Sequence, residues 1–332
     1  MDNDSDPALA VKVEQVTAIE LANLVERAEY YVSQEISDAT KRAYAKDYRV
    51  YAEWCKTLQV ESMPSNPKIV AIYISYLADS GKSVSTIERA LASISKAHEA
   101  KEVQFNRKHN AIKKALRGAK RTIGVRPKQV KAILPEDLKK MADTLETDLR
   151  GYRNRALLSF GFAGAFRRSE IIALNMDDIN RTDNGYIALI RKSKTDQTGI
   201  GREVAIPYGS TLLTCPVRSM DKWLEVREMF DTEKEGPLLC GINPKGDTVM
   251  TEHRLHPRTV ARVVGTSARR AGLEGHYAGH SLRAGLVTTA ARAGKAPHII
   301  QSQTGHKNIN MIMRYIRREN LFEENAAAGI GL

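Results

Sequence analysis

Between Ser37 and Leu58 the apolar residues Tyr44, Tyr48, Tyr51, Cys55 and Leu58 recur at intervals of four, three, four and three, the spacing of one face of an α-helix. Arg42, Lys46 and Arg49 recur at four and three, and at about 100° per residue they project from the opposite side. A helix with a core stripe backed by a basic stripe is expected here. Helical patterning also runs from Ile19 through Val32. Asn66-Pro67 has the form of a cap followed by proline in the first turn, opening a helix with Ile69, Ile72, Tyr76 and Leu77. Ser85 with Glu88 fits a capping box leading into Ile87, Leu91, Ile94 and His98, with His98 a helix-face residue rather than a ligand. A further helix around Ala111–Arg121 carries Lys113, Lys114, Arg117, Lys120 and Arg121.

Thr122–Lys131 contains Gly124, Arg126, Pro127, Lys128 and Lys131 and no acidic residue, the composition of an extended basic linker. Beyond it, Leu134-Pro135-Glu136-Asp137 has the form of a helix start, and helical pattern continues through Arg155–Phe162. After Asp177-Asp178 the period changes. Asp183-Asn184-Gly185 is a turn signal followed by the apolar, strand-like run Tyr186–Ile190, and Gly199-Ile200-Gly201 separates that run from Glu203–Pro207, a second short strand. Helices are expected again at Pro216–Phe230, at Pro257–Ala271 and from His280 onward. The predicted fold class is mainly α: a flexible N-terminus over residues 1–18, a helical domain over 19–121, a linker over 122–132, and an α+β domain with a small antiparallel sheet over 133–332.

Composition narrows the function. The 332 residues are 42% hydrophobic and 27% charged, ordinary values for a globular protein of about two domains. No apolar run approaches the roughly 20 residues a membrane helix needs, and the opening MDNDSDPALA has neither the basic nor the apolar region of a secretory signal. Cys55, Cys215 and Cys240 are too few and too scattered for a disulfide framework or a zinc site, and are expected as idle thiols. The net charge of +12 points to a polyanionic partner, nucleic acid before a membrane surface.

Five short segments of the second domain carry candidate chemistry: Gly164-Ala165-Phe166-Arg167-Arg168-Ser169-Glu170-Ile171; Arg191-Lys192-Ser193-Lys194-Thr195 between the two strands; Gly279-His280-Ser281-Leu282-Arg283; Thr304-Gly305-His306; and Met313-Arg314-Tyr315, whose tyrosine lies nine residues past His306. Singly each is weak. An H-x-x-R occurs often by chance, and lysines between strands are ordinarily solvated. Their order and spacing together form the signal.

In that order and spacing the segments resemble the active-site boxes of the tyrosine recombinase (phage integrase) family. The resemblance spans roughly residues 20–325, is specific in the second domain, and in the first rests on order, size and basic helices. It implies Arg167 as the first arginine of the site, Glu170 as its acidic support, Lys194 as the hairpin lysine, His280 and Arg283 as the H-x-x-R pair, His306 as the residue that is histidine or tryptophan in members, and Tyr315 as the nucleophile. Many members carry another histidine directly after the second arginine, where this chain has Ala284.

The implied reaction exchanges a DNA phosphodiester for a phosphotyrosine ester and reverses it onto another strand. Bond energy is conserved, so neither ATP nor a metal or other cofactor is expected. Two guanidiniums clamp the non-bridging oxygens as charge builds in the transition state. A phenol with a pKa near ~10 needs a proton acceptor, His280, and the departing 5′-oxygen needs a proton donor, Lys194. His306 would donate a hydrogen bond to the phosphate. The resemblance further implies double-stranded DNA carrying an inverted repeat as partner, a homotetramer on a Holliday junction, and a cytoplasmic, nucleoid-associated protein of bacterial or phage origin. The first domain is then expected to bind DNA, with Arg42, Lys46, Arg49, Lys113, Lys114, Arg117, Lys120 and Arg121 as candidate contacts, and Arg254, Arg258 and Arg262 as weaker ones in the second. The tail through Asn320-Leu321-Phe322-Glu323 is a candidate for docking on a neighbouring subunit. Two other readings compete: a type IB topoisomerase with nearly the same residue set, and a non-catalytic DNA-binding protein.

Overall fold

A computed structural model of the chain describes residues 18–33, 35–124, 130–191, 201–231, 235–319 and 327. Of the expected loose N-terminus over 1–18, residues 1–17 lie outside the described residues and Ala18 begins the first helix; Lys192 and Lys194 and the tail from Asn320 through Glu323 also lie outside them. Two compact units divide between Lys128 and Gln129.

The first unit holds α1 (Ala18–Ser33), α2 (Asp38–Thr57), α3 (Pro67–Asp79), α4 (Val84–Glu99) and α5 (Asn110–Ile123). Local chemistry starts these helices. Ser37 caps α2 by accepting from the Thr40 amide, and the Asn66 side chain caps α3 by accepting from the Lys68 amide, with Pro67 in the first turn. The cap of α4 is Ser83, not Ser85: the Ser83 hydroxyl accepts from the Thr86 amide, and Ser85 falls inside the first turn. Tyr51, Cys55, Tyr73, Ile74, Ile87, Leu91, Ile94 and Ile112 form the core. The apolar stripe of α2 stops at Cys55. Leu58 ends the helix as its C-cap and is exposed. His98 is buried, bonding the Ile94 carbonyl through Nδ1 and accepting from the Ser65 amide at Nε2, so both ring nitrogens serve the fold.

Residues 125–129 of the expected 122–132 linker lie outside the described residues. Thr122 and Ile123 belong to α5, and Lys131 is fastened to the second unit: its amide donates to the His276 carbonyl and its Nζ to the Glu274 carbonyl.

The second unit runs α6 (Pro135–Asp143), α7 (Leu149–Ala163), α8 (Arg168–Ala173), β1 (Ile179–Thr182), β2 (Gly185–Ile190), β3 (Arg202–Pro207), α9 (Pro216–Glu228), β4 (Cys240–Ile242), β5 (Val249–Arg254), α10 (Pro257–Arg270), α11 (His280–Arg292), α12 (Pro297–Thr304) and α13 (Ile309–Glu319). Strands β1, β2 and β3 form an antiparallel sheet in chain order. Tyr186, Ala188 and Ile190 alternate inward on β2, opposite Ile206, Val204 and Arg202 of β3. The two-stranded β4–β5 hairpin was not legible in the sequence; its strands are short and a register shift interrupts them. Leu157, Leu158 and Phe160 of α7 are fully buried at the centre of the core. The three cysteines are free and buried. No helix among the described residues is long and apolar enough to cross a membrane.

Candidate active site

The first arginine is placed by a turn under strain. After α7 the chain passes through Ala165 in the left-handed region (φ 48°), anchored by the buried Phe166 stacked on Phe160. A left-handed non-glycine residue costs on the order of 1–3 kcal/mol and persists where its surroundings hold it. Here its carbonyl accepts from Arg283 Nη1 at 2.8 Å. Arg167 follows as the N-cap of α8, with Glu170 at the third helical position. Glu170 Oε2 accepts from the Arg167 amide at 2.9 Å and Oε1 from Arg167 Nη1 at 2.5 Å, while the carboxylate side chain is 1% exposed. Residue spacing along one helical turn thus fixes both the backbone and the guanidinium of Arg167.

His280 and Arg283 lie one turn apart at the start of α11. Arg283 is buried, and its Nη2 has no hydrogen-bond acceptor among the described residues. Burial, then the neighbouring Arg167, push its pKa down to about 10. A charge on Tyr315 acts on Arg283 in the opposite sense, which places the phenol within electrostatic reach of that guanidinium. His280 is exposed as a residue, and desolvation of its ring, followed by Arg283 and Arg167, holds its pKa below the usual histidine value.

The third part is the turn that ends α12. Gly305 adopts the left-handed C-cap conformation (φ 62°), and its carbonyl accepts from Arg167 Nη2 at 3.3 Å. Thr304 Oγ1 lies 2.6 Å from the Ile300 carbonyl and 2.6 Å from His306 Nδ1, pinning the ring. Nε2 is left as the ring nitrogen without a partner among the described residues. His306 is 8% exposed, and burial, then Arg283, Arg167, His280 and Arg202, push its pKa down to about 3. Tyr315 is half-buried on α13, packed against the small cluster of Val287, Ala291, Ile300 and Ile312 that joins α11, α12 and α13.

Six of the seven expected residues are described, and α8, α11, α12 and α13 bring Arg167, Glu170, His280, Arg283, His306 and Tyr315 to one cationic pocket; Lys194 is the seventh, outside the described residues. Arg202 was missed by sequence reasoning. It opens β3, donating from Nη1 to the Gln303 carbonyl at 2.8 Å and from Nη2 to Glu170 Oε2 at 3.4 Å. No motif marks it, because its partners are 32 and 101 residues away.

The candidate DNA contacts fare differently. Arg42, Lys46, Arg49, Lys113, Lys114, Arg117 and Arg121 are exposed on α2 and α5. Lys120 is committed to an ion pair with Glu88 at 2.6 Å. Arg254 is engaged too: its Nη1 donates to the Ile172 and Leu174 carbonyls and its Nη2 to Asn175 Oδ1, so it secures the end of α8. Arg258 and Arg262 are exposed on α10.

Comparison with known proteins agrees with this geometry. Residues 131–320 match the model of the phage integrase family. The chain is 34% identical to an integrase/recombinase xerD homolog of Selenomonas ruminantium over 307 residues, covering 90% of this chain and 87% of that one. It is 27% identical to recombinase cre of Escherichia phage P1, covering 89% and 88%. Its fold resembles a lambda integrase dimer bound to a COC′ core site, with a TM-score of 0.58 at 16% identity, covering 89% of this chain and 94% of that one. Fold and site define a DNA-breaking and rejoining enzyme of the tyrosine recombinase class. The chain belongs to the phage integrase family and is a site-specific recombinase.

Proposed function

We propose that this recombinase cleaves and rejoins DNA through a covalent 3′-phosphotyrosine bond to Tyr315, as a homotetramer on short inverted-repeat sites. The observation that carries the reading is the pair of guanidiniums, Arg167 and Arg283, each held on a backbone carbonyl, with a buried Arg283 Nη2 lacking an acceptor among the described residues. Such a donor pair fits the non-bridging oxygens of a phosphate and gains most when those oxygens carry the added charge of the transition state.

In the proposed step the Tyr315 oxygen attacks phosphorus and the bond from phosphorus to the 5′-oxygen breaks. His280, its pKa lowered by burial first and then by Arg283 and Arg167, accepts the phenol proton. The 5′-oxygen leaves with a proton from Lys194. His306 would donate an Nε2–H to the phosphate in the tautomer whose Nδ1 accepts from the Thr304 hydroxyl, which then does not donate to the Ile300 carbonyl. Glu170 holds Arg167 in place. Rejoining is the reverse, with a 5′-hydroxyl of another strand as nucleophile, so bonds balance without ATP. The exposed cations of α2 and α5 would grip backbone phosphates.

The test mixes wild type and Tyr315→Phe with a pool of nicked, partly randomised duplexes without metal or ATP, denatures with detergent, and sequences DNA still attached to protein. Attachment by wild type alone, enriched for an inverted repeat, is expected. Attachment without sequence enrichment would favour a type IB topoisomerase, and binding without attachment a non-catalytic DNA-binding protein.

A further inference from the structure

Arg202 lies outside the segments that carry the family resemblance, and it joins two of them. Its guanidinium points inward, toward Glu170 on one side and the Gln303 carbonyl on the other, with the side chain 20% exposed. Nε is buried without an acceptor among the described residues. Glu170 therefore carries two guanidiniums on one buried carboxylate, Arg167 on Oε1 and Arg202 on Oε2. The turn after α12 is likewise held twice, by Arg167 on the Gly305 carbonyl and by Arg202 on the Gln303 carbonyl. Gly305 is shaped to this: a Cβ there would stand 2.7 Å from Arg202 Nε and 3.0 Å from Cδ. Burial lowers the pKa of Arg202, so keeping a charge here works against solvation. A buried ion pair is often replaceable by apolar packing without loss of stability, so folding alone gives little reason for it.

Resting on the recombinase reading above, we propose that Arg202 is a positioning residue for the strand-transfer chemistry: it locks Glu170, and through it Arg167, to the Gln303–His306 turn. Its terminal nitrogens are occupied by protein, so it acts through its partners rather than on the phosphate. Without it, Glu170 Oε2 loses a donor. The carboxylate, already on Arg167 Nη1 through Oε1, then has Arg167 as its one guanidinium partner and offsets more of the charge that guanidinium would bring to substrate. The carbonyl that precedes Thr304 loses its donor at the same time, and the His306 ring loses its fixed base. Both effects fall on the transition state and not on the grip on DNA.

The experiment uses the full chain and the duplex recovered in the attachment assay, or the randomised pool itself. Arg202→Met, Arg202→Lys, Glu170→Gln and the double variant Glu170→Gln/Arg202→Met are compared in single-turnover formation of the Tyr315 adduct, with duplex Kd and melting temperature measured alongside. Arg202→Met is expected to slow adduct formation by about 30- to 100-fold, the scale of a small misplacement of reacting groups, with Kd within about twofold. Lysine is expected to restore part of the rate, since it can pair with Glu170 but lacks the fork that also reaches Gln303. The double variant should cleave within about threefold of the slower single, as two residues acting through one contact do. Replacing one non-bridging oxygen of the scissile phosphate by methyl removes charge that Arg167 must neutralise, and should shrink the Arg202→Met defect. Wild-type rates for Arg202→Met would overturn the proposal. So would losses that multiply in the double variant, or a loss matched by weaker binding. Should the methionine variant fail to fold, the lysine variant and its cycle with Glu170→Gln decide by the same criteria. A wild type that forms no Tyr315-dependent adduct would instead sink the recombinase reading itself.

Discussion

His306 is a base that the fold keeps neutral. Its pKa is pushed from the usual histidine range down to about 3, by burial first and then by Arg283. In the unfolded chain the same ring titrates near ~6.5. Between those values the unfolded chain binds a proton that the folded one refuses, so folding stability is fully present above about pH 6.5 and declines as pH falls toward 3. At pH 5 the decline from this ring alone is up to about 2 kcal/mol. Thermal melting of wild type and His306→Asn between pH 7.5 and pH 5 checks the sign: the wild-type melting temperature should fall more steeply, with His280 adding in the same direction. His306, Arg167, Glu170, His280, Arg283 and Tyr315 were legible in the sequence because the chemistry calls for those residue types in short boxes of fixed spacing. Arg202 was not, nor was the role of Thr304 beside His306. A hydroxyl that pins a ring and an arginine that ties two elements are defined only by what the tertiary fold brings beside them.

Among the elements, those with strong periodicity were read well, and the errors came where two local signals compete. The four-three-four spacing of α2 gave a correct helix but one residue too many on its buried face, because the helix closes at Thr57 and Leu58 turns outward. The cap of α4 was expected at Ser85, whereas the extended backbone at Ser83, two residues earlier, takes that role. The β4–β5 hairpin lacks a sustained alternation and left no signal. The basic face of α2 supplies a prediction of its own. Arg42, Lys46 and Arg49 are exposed, while Asp47 of the same helix is paired with Arg89 at 2.6 Å. Replacing the three cations by glutamine should flatten the dependence of log Kd on log salt by about 0.9 for each phosphate that is no longer neutralised. Lys120→Gln, which removes a residue already paired with Glu88, should flatten it less. Equal slopes for wild type and the triple variant would remove α2 from the DNA interface.

At the scale of the whole molecule, the chain couples a basic helical unit to a unit whose pocket gathers Arg167, Arg202, Arg283, His280 and His306 around one described carboxylate, Glu170. A net charge of +12 spread over both suits a polyanion as the bound partner. The buried Nη2 of Arg283, with no acceptor among the described residues, carries a consequence for the free enzyme. Burial, then the like charge of Arg167, opposes the charge on Arg283, so the free protein is less robust than an inactive version of itself. Arg283→Met is expected to melt at a higher temperature than wild type without DNA, and to lose most of the gain in melting temperature that duplex confers. Heat thereby becomes a way to find the recombination site. With Tyr315→Phe to silence cleavage, a duplex at about a hundred times its Kd should add roughly 2.7 kcal/mol to the fold. Genomic fragments ranked by how far they delay melting would bring the natural target to the top without a single strand being cut.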